Sequence, residues 1–320
     1  MRDNRETVYM PHDTGYKYLL ASKKAFLQLI RSFVKIGWAD QVDEAGLVRV
    51  NKSFILQDFQ NKEADLIYRA KLKDKDVIFY VLMELQSTVD FLIPYRLLLY
   101  MTEIWRDIFK NTSQKEAERK DFRLPVIVPI VLYNNPAKWA VPLNFKETLD
   151  SFEIFEKHVL DFQYILINVF AYDEKELLKL SNLMGAVFLL DQAGNLEEIL
   201  DRLKKVIETI KKMDLEEFRL FTAWAENILT RGLSPEKKDE IVDILKNARP
   251  KEVEEMISNV ERVLKKSWED AEKQGIEQGI EKGIEQAKIN IARQMLLENE
   301  DIEKIIRYTG LTKEEIEKLK

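Results

Sequence analysis

The sequence predicts an α/β protein: a mixed sheet flanked by helices, followed by an all-helical region and a helical C-terminal tail. Three observations point there. Residues 65–85 read as two β-forming arms joined by a polar turn. Pro125 to Tyr133 is an unbroken apolar run rich in valine and isoleucine, the mark of a central strand covered on both faces. After Tyr172 apolar residues return at three- and four-residue steps in one segment after another. Strands and helices alternate before that point, which favours a sheet layered with helices. The expected divisions are residues 1–172, 173–270 and 271–320.

Tyr16, Leu19, Leu20, Phe26, Leu27, Ile30, Phe33 and Val34 recur at helical spacing, so residues 12–36 are predicted as helix. Asp13 precedes the pattern and suits an N-cap. Lys17 lies one turn later on the same face. It is either a solvated surface charge or a group placed to meet a phosphate. Val48 to Phe59 reads as a strand and a connection.

In the hairpin, the arms are Asp65 to Leu72 and Val77 to Leu85, with Lys73-Asp74-Lys75-Asp76 as the turn. A two-residue loop at Asp74-Lys75 sets Lys73 against Asp76 and, stepping outward, Asp65 against Glu84. Gln86 then shares a face with Glu84. Directly opposed carboxylates repel, so this register calls for a cation between Asp65 and Glu84. A loop of odd length would break the pairing.

Leu92, Tyr95, Leu98, Leu99, Thr102 and Trp105 predict a helix over Phe91 to Lys110, with Pro94 near its start, where proline is tolerated. Arg96 falls on this helix. Asn111 to Lys120 is polar and reads as an exposed loop or short helical extension. Pro129 cannot donate to a ladder, so a bulge or break is expected there. Asn134-Asn135-Pro136 ends that strand, and Tyr164 to Phe170 is a further strand.

Asp173 with Glu176 forms a capping box. Helices are then expected over Glu174–Leu190, Leu196–Met213, Leu215–Thr230, Pro235–Lys246 and Lys251–Trp268. Trp224 and Trp268 read as core or interface. A Gly-Ile-Glu repeat follows, with Gly275, Gly279 and Gly283 ahead of Ile276, Ile280 and Ile284. Its four-residue period makes the isoleucine stripe drift by roughly 40° per repeat, and each interior glycine costs about 1 kcal/mol relative to alanine. Such a helix either pairs with another copy or serves as a hinge. In the last stretch Gly310 is a C-cap, and Thr312 with Glu315 opens a final helix.

Composition narrows the chemistry. The chain has 320 residues, 46% of them hydrophobic, enough for a sizeable core. There is no cysteine, which excludes disulfides and thiol nucleophiles and suits a reducing compartment. Two histidines make imidazole-based hydrolysis a poor fit. No apolar run is long enough to span a bilayer, and the first residues lack the core of a signal peptide. The reading is a cytoplasmic protein. A net charge of −6 disfavours nucleic-acid binding by the whole surface, so any such binding must use a local basic patch.

The order of Asp65, the hairpin and Glu84-Leu85-Gln86 resembles the signature of the PD-(D/E)XK nuclease superfamily. With HDTGYKYLL at His12 to Leu20, PYRLLLYMTEIW within Phe91 to Phe109 and LPVIVPIVLYNN at Leu124 to Asn135, the chain resembles the Rpn family of recombination-promoting nucleases and transposase-like proteins over roughly residues 8 to 175. Gly-x-Glu-x runs are also familiar in that family's C-terminal part.

The resemblance implies a restriction-endonuclease-like fold and a Mg²⁺-dependent deoxyribonuclease. Asp65, Glu84 and the carbonyl of Leu85 would be the metal ligands, and Asp13 an acidic residue entering the site from the first helix. Arg96, in the Tyr-Arg pair, matches the family pattern and is a candidate for phosphate contact; as a residue in its helix it reads equally as a partly buried structural arginine. Where the superfamily usually carries lysine this chain has Gln86, which can orient a water but is neither a charge nor a base. Lys17 is the better candidate for the missing cation. The implied partners are DNA and a second copy through the C-terminal helices. The competing reading is a catalytically weak, self-associating scaffold derived from such a nuclease; an RNA nuclease is a third.

Overall fold

The computed structural model describes residues 11–50, 66–72, 78–155 and 157–319. The chain divides into two compact units, Met1–Asn259 and Val260–Lys320.

In the first unit, the opening helical pattern splits into α1 (Pro11–Leu19) and α2 (Lys23–Phe33). The break falls at Ser22, whose backbone is extended. Asp13 therefore lies inside the first helix rather than capping it. Tyr68 explains why the break is tolerated. Its single hydroxyl proton is shared between the carbonyls of Leu20 at 2.6 Å and Ala21 at 3.0 Å, groups that a helix end leaves unsatisfied. Its ring stacks on Phe26 at 4.1 Å.

Among the described residues the sheet has five strands in sequence order: β1 (Val48–Arg49), β2 (Leu66–Lys71), β3 (Ile78–Gln86), β4 (Val126–Tyr133) and β5 (Ile165–Asn168). The first three are antiparallel and the last three parallel. Leu66 lies opposite Met83 and Lys71 opposite Ile78, the register that an even turn between the arms requires. The turn and Asp65 lie outside the described residues. A parallel pair needs a crossover, and α3 (Ile93–Lys110) supplies it between β3 and β4. A short helix, α4 (Gln114–Ala117), fills the polar stretch after it.

Pro129 corrects the sequence reading. β4 runs through it without a bulge, and Pro129 sits opposite Leu82. The reason is direction. Asn134 N–H donates to the Gln86 carbonyl at 3.1 Å, so residues of β4 that face β3 alternate back through 132, 130 and 128. Pro129 faces the other side, where β5 pairs only from Ile130 onward. Its missing N–H leaves no ladder bond unmade.

The two faces of the sheet are covered differently. Ile67, Val131 and Tyr133 pack with Ile93, Leu97, Tyr100, Met101 and Ile104 of α3. Tyr68, one residue from Ile67, meets α1 and α2 on the opposite face. Tyr164 to Phe170 yields only the four residues of β5 before a 3₁₀ turn over Val169–Ala171.

A short α5 (Phe152–Phe155) precedes β5, and the helical region follows the 3₁₀ turn. The capping box of Asp173 and Glu176 opens α6 (Glu174–Leu180). The predicted helix then breaks at Ser181, in the left-handed conformation, and Asn182 caps α7 (Leu183–Asp191), which is buried on all sides. Next come α8 (Leu196–Lys205), α9 (Ile207–Lys211), α10 (Leu215–Leu229) and α11 (Pro235–Asn247). Trp224 is core. The region docks on the N-terminal helices through buried rings, with Phe33 stacked on Phe188 at 4.3 Å, and through polar contacts at their rim: Lys24 to Asp214, Lys24 to Glu217 at 3.2 Å, and Ser22 to Glu216 at 3.1 Å.

A Cβ on Gly185 would stand 2.7 Å from the Leu177 carbonyl, a backbone atom that cannot swing aside. Gly185→Ala is expected to destabilise by about 1–3 kcal/mol through overpacking, despite a gain of about 1 kcal/mol in helix propensity. Thermal unfolding should show a lowered midpoint.

The long α12 (Val253–Leu297) carries the Gly-Ile-Glu repeat inside one uninterrupted helix. Ile276, Ile280 and Ile284 are each more than half exposed, as is Trp268. Within the second unit, the end of α12 packs with α13 (Ile302–Thr309) and α14 (Lys313–Glu317) around Ala292, Ile305, Leu311 and Ile316. Gly310 closes α13 with φ +69°, and Thr312 with Glu315 caps α14, as the sequence predicts. No helix among the described residues is long and apolar enough to cross a membrane.

Candidate active site

β3 and β4 run parallel and end together at Gln86 and Tyr133. Sheets of this kind bind ligands beyond the carboxyl ends of their parallel strands. Glu84 stands there on β3, on the face that α3 covers, opposite Val131. It is 2% exposed.

A carboxylate this deep needs a cation, and α3 delivers one. Arg96, itself 3% exposed, donates from Nη2 to Glu84 Oε2 at 3.2 Å. Its Nη1 donates to Asp90 Oδ2 at 2.8 Å. Asp90 is in turn fixed by the start of the helix, since its Oδ1 accepts from Leu92 N–H at 2.9 Å. One arginine thus spans two carboxylates, one on the strand and one in the loop that follows it.

The neighbouring strand end supplies amides. Asn135 Nδ2 donates to the Ser87 carbonyl at 2.8 Å, tying the loop after β4 to the loop after β3. Asn134 is buried, and its Nδ2 meets no acceptor among the described residues. Burial raises the Tyr133 hydroxyl above the usual phenol range, so it stays protonated. Behind it, Trp139 packs edge-on at 4.9 Å and donates to Tyr164 at 3.0 Å; burial pushes Tyr164 up to about 12.

Of the residues singled out from sequence, Glu84, Leu85, Gln86 and Arg96 meet at this end of β3. Gln86 is partly buried and by alternation shares the face of Glu84. Because Gln86 turns its carbonyl to β4, the carbonyl of Leu85 points the other way, to the β2 side. Lys17 is exposed in the last turn of α1. The end of that helix meets the sheet on the face opposite α3, through Tyr68. Asp13 lies on α1, and its side chain, like all of Asp65, falls outside the described residues.

Asp90 and Asn134 are what sequence reasoning missed as site residues. Asp90 carried a usable signal, an aspartate just before a predicted helix, which is a cap in the making. Asn134 was read only as part of a turn.

The donors fit a hard divalent cation in kind: a carboxylate, a backbone carbonyl and a side-chain amide, all oxygen. A carboxylate has about four acceptor positions on two oxygens, and Arg96 engages Oε2. Among the described residues no cluster of three or more acidic or histidine side chains stands together.

Comparison with known proteins gives two matches. No curated protein and no solved structure matches the chain. Residues 285–320 match the family described as the Rpn/YhgA-like nuclease family, C-terminal HTH domain. Residues 10–218, which hold the whole sheet and the Glu84–Arg96 pair, match the family described as "Putative transposase, YhgA-like", and with more than half its length inside that match the chain belongs to this family.

Proposed function

We propose that the chain is a metal-dependent endonuclease that cleaves DNA in recombination or mobile-element processes, with a restriction-endonuclease-like core. What supports the reading, beyond the family's nuclease and transposase names, is one observation: a buried carboxylate, Glu84, held by an arginine at the carboxyl ends of two parallel strands. Glu84, Asp65 and the Leu85 carbonyl would hold Mg²⁺, with Asp13 as a further acidic neighbour. The ion, when bound, lowers the pKa of water and offsets charge on phosphate.

The chain's own groups do the rest. Arg96 fixes the rotamer of Glu84, so the carboxylate needs no rearrangement to serve as a ligand. Gln86 orients a water by hydrogen bonding without taking its proton. Lys17 is the candidate for a phosphate contact on the sheet face opposite Glu84, and the C-terminal helix-turn-helix for DNA contact. In this reading Arg96 acts by positioning Glu84.

A second reading has a specific observation in its favour. With side-chain exposures of 4% for Arg96 and 3% for Glu84, the pair also serves a body that does no chemistry and associates through its exposed isoleucines. Incubation of supercoiled plasmid with the purified protein, with Mg²⁺ or with EDTA, separates the two. Nicking that needs the metal and vanishes in both Asp65→Ala and Glu84→Ala supports the enzyme. No nicking with any divalent metal supports the scaffold. Self-association has its own test. Ile276→Ser/Ile280→Ser/Ile284→Ser should lower the mass measured by light scattering, and an unchanged mass removes the role of the stripe.

A further inference from the structure

Between α10, α11 and the turn at Pro250–Glu252 lies a cleft of about 1030 Å³, well apart in sequence from Glu84. Leu215, 53% exposed, gives it an apolar surface, with Phe218 and Leu245 buried beneath. Its rim is cationic. Arg219, Lys246, Arg249 and Lys251 all line it and are all exposed. None of the four makes an ion pair among the described residues, whereas Lys211, on the same rim, is bridged to Glu208 and Glu254. Glu226 and Glu252 are the acidic residues of the lining.

Four unneutralised cations around one trough are out of character for a chain of net charge −6. An acidic protein gains nothing in solubility from such a cluster, and like charges held together repel. An anionic polymer relieves that repulsion along its length. The four come from three successive elements, α10, α11 and the turn, so they form a track rather than a single-point pocket. A phosphodiester backbone has that shape, and exposed Leu215 offers a sugar or base face an apolar contact.

We propose that this cleft binds a nucleic-acid strand, with Arg219, Lys246, Arg249 and Lys251 on its phosphates. It is the local basic patch that the overall charge demands of a nucleic-acid-binding protein. The proposal rests on nucleic acid being the partner, not on catalysis by Glu84, and the test omits the metal so that the two fail separately.

The probe is a fluorescein-labelled oligothymidylate titrated in EDTA with the full chain, read by anisotropy over a range of salt. Four phosphate contacts to a single strand predict a log–log salt slope of about −3 from the cleft. Arg249→Glu/Lys251→Glu should weaken binding about tenfold or more near 0.1 M salt and flatten the slope by roughly 1.4. The neutral pair Arg249→Gln/Lys251→Gln should flatten it equally, with an unchanged circular dichroism spectrum. Amides of residues 246–252 should gain protection from hydrogen exchange when the oligonucleotide binds.

A duplex binding with the same cleft dependence also supports the proposal. Unchanged affinity and slope in both pairs overturn it. So does loss confined to Arg293→Glu/Arg307→Glu in the C-terminal unit. A peptide copying Gly275 to Glu285 that protects residues 246–252 where the oligonucleotide does not would likewise overturn it, and would make the cleft a dock for acidic protein.

Discussion

Arg96→Leu is expected to cost about 3–5 kcal/mol of stability, the largest loss of any single change outside the apolar core. The arginine contributes little as a gain over an apolar core, because burying two charges is itself expensive. Its removal is costly because Glu84 stays behind, 2% exposed and stripped of its guanidinium. Asp90 loses its 2.8 Å partner too, but at 22% side-chain exposure it recovers some hydration.

The measurement is chemical denaturation of three proteins. If the penalty is the stranded charge, Glu84→Leu added to Arg96→Leu restores most of the loss. A carboxylate buried without a cation takes up a proton more readily. The single variant should therefore recover relative to wild type as pH falls toward 4–5, because the neutral form is the one that tolerates burial. A single variant as stable as wild type would mean that Arg96 does not neutralise Glu84 in solution.

The second large effect concerns chemistry. Glu84→Gln is expected to lower plasmid cleavage by roughly 10³-fold, the scale on which preorganised charge at a reacting centre acts. Glutamine keeps the shape of glutamate and still offers an oxygen to Arg96 Nη2, so the fold should persist. It offers no negative charge to a cation. This separates the roles that Glu84→Ala merges. Full cleavage by a folded Glu84→Gln would remove the carboxylate from the chemistry and leave it as the counterion of Arg96. Arg96→Lys, which keeps the charge but loses the fork, is the informative companion.

Much of the fold was readable because its signals are local. The hairpin register follows from side-chain alternation around a short polar turn, and the observed pairing of Leu66 with Met83 agrees with it. The capping boxes at Asp173 and Thr312 announce themselves within four residues. The helix breaks at Ser22 and Ser181 were hidden, because they depend on Tyr68 and on the close approach of α6 to α7, which periodicity along one segment does not register. The site was legible in part for the same reason. Glu84 stood out on an apolar strand, but its partner lies twelve residues away on another element. Only the packing of α3 on the sheet decides that Arg96 points inward rather than to solvent. The cleft left no sequence trace, since its cations are scattered over α10, α11 and the turn beyond.

Pro129 carries one more consequence. β5 pairs with β4 only from Ile130 to Tyr133, and of the residues before them Val126 is 62% exposed while Ile127 and Pro129 are buried. Pro129 therefore serves as apolar packing in the middle of a sheet, because its buried ring sits where the native ladder asks for no bond.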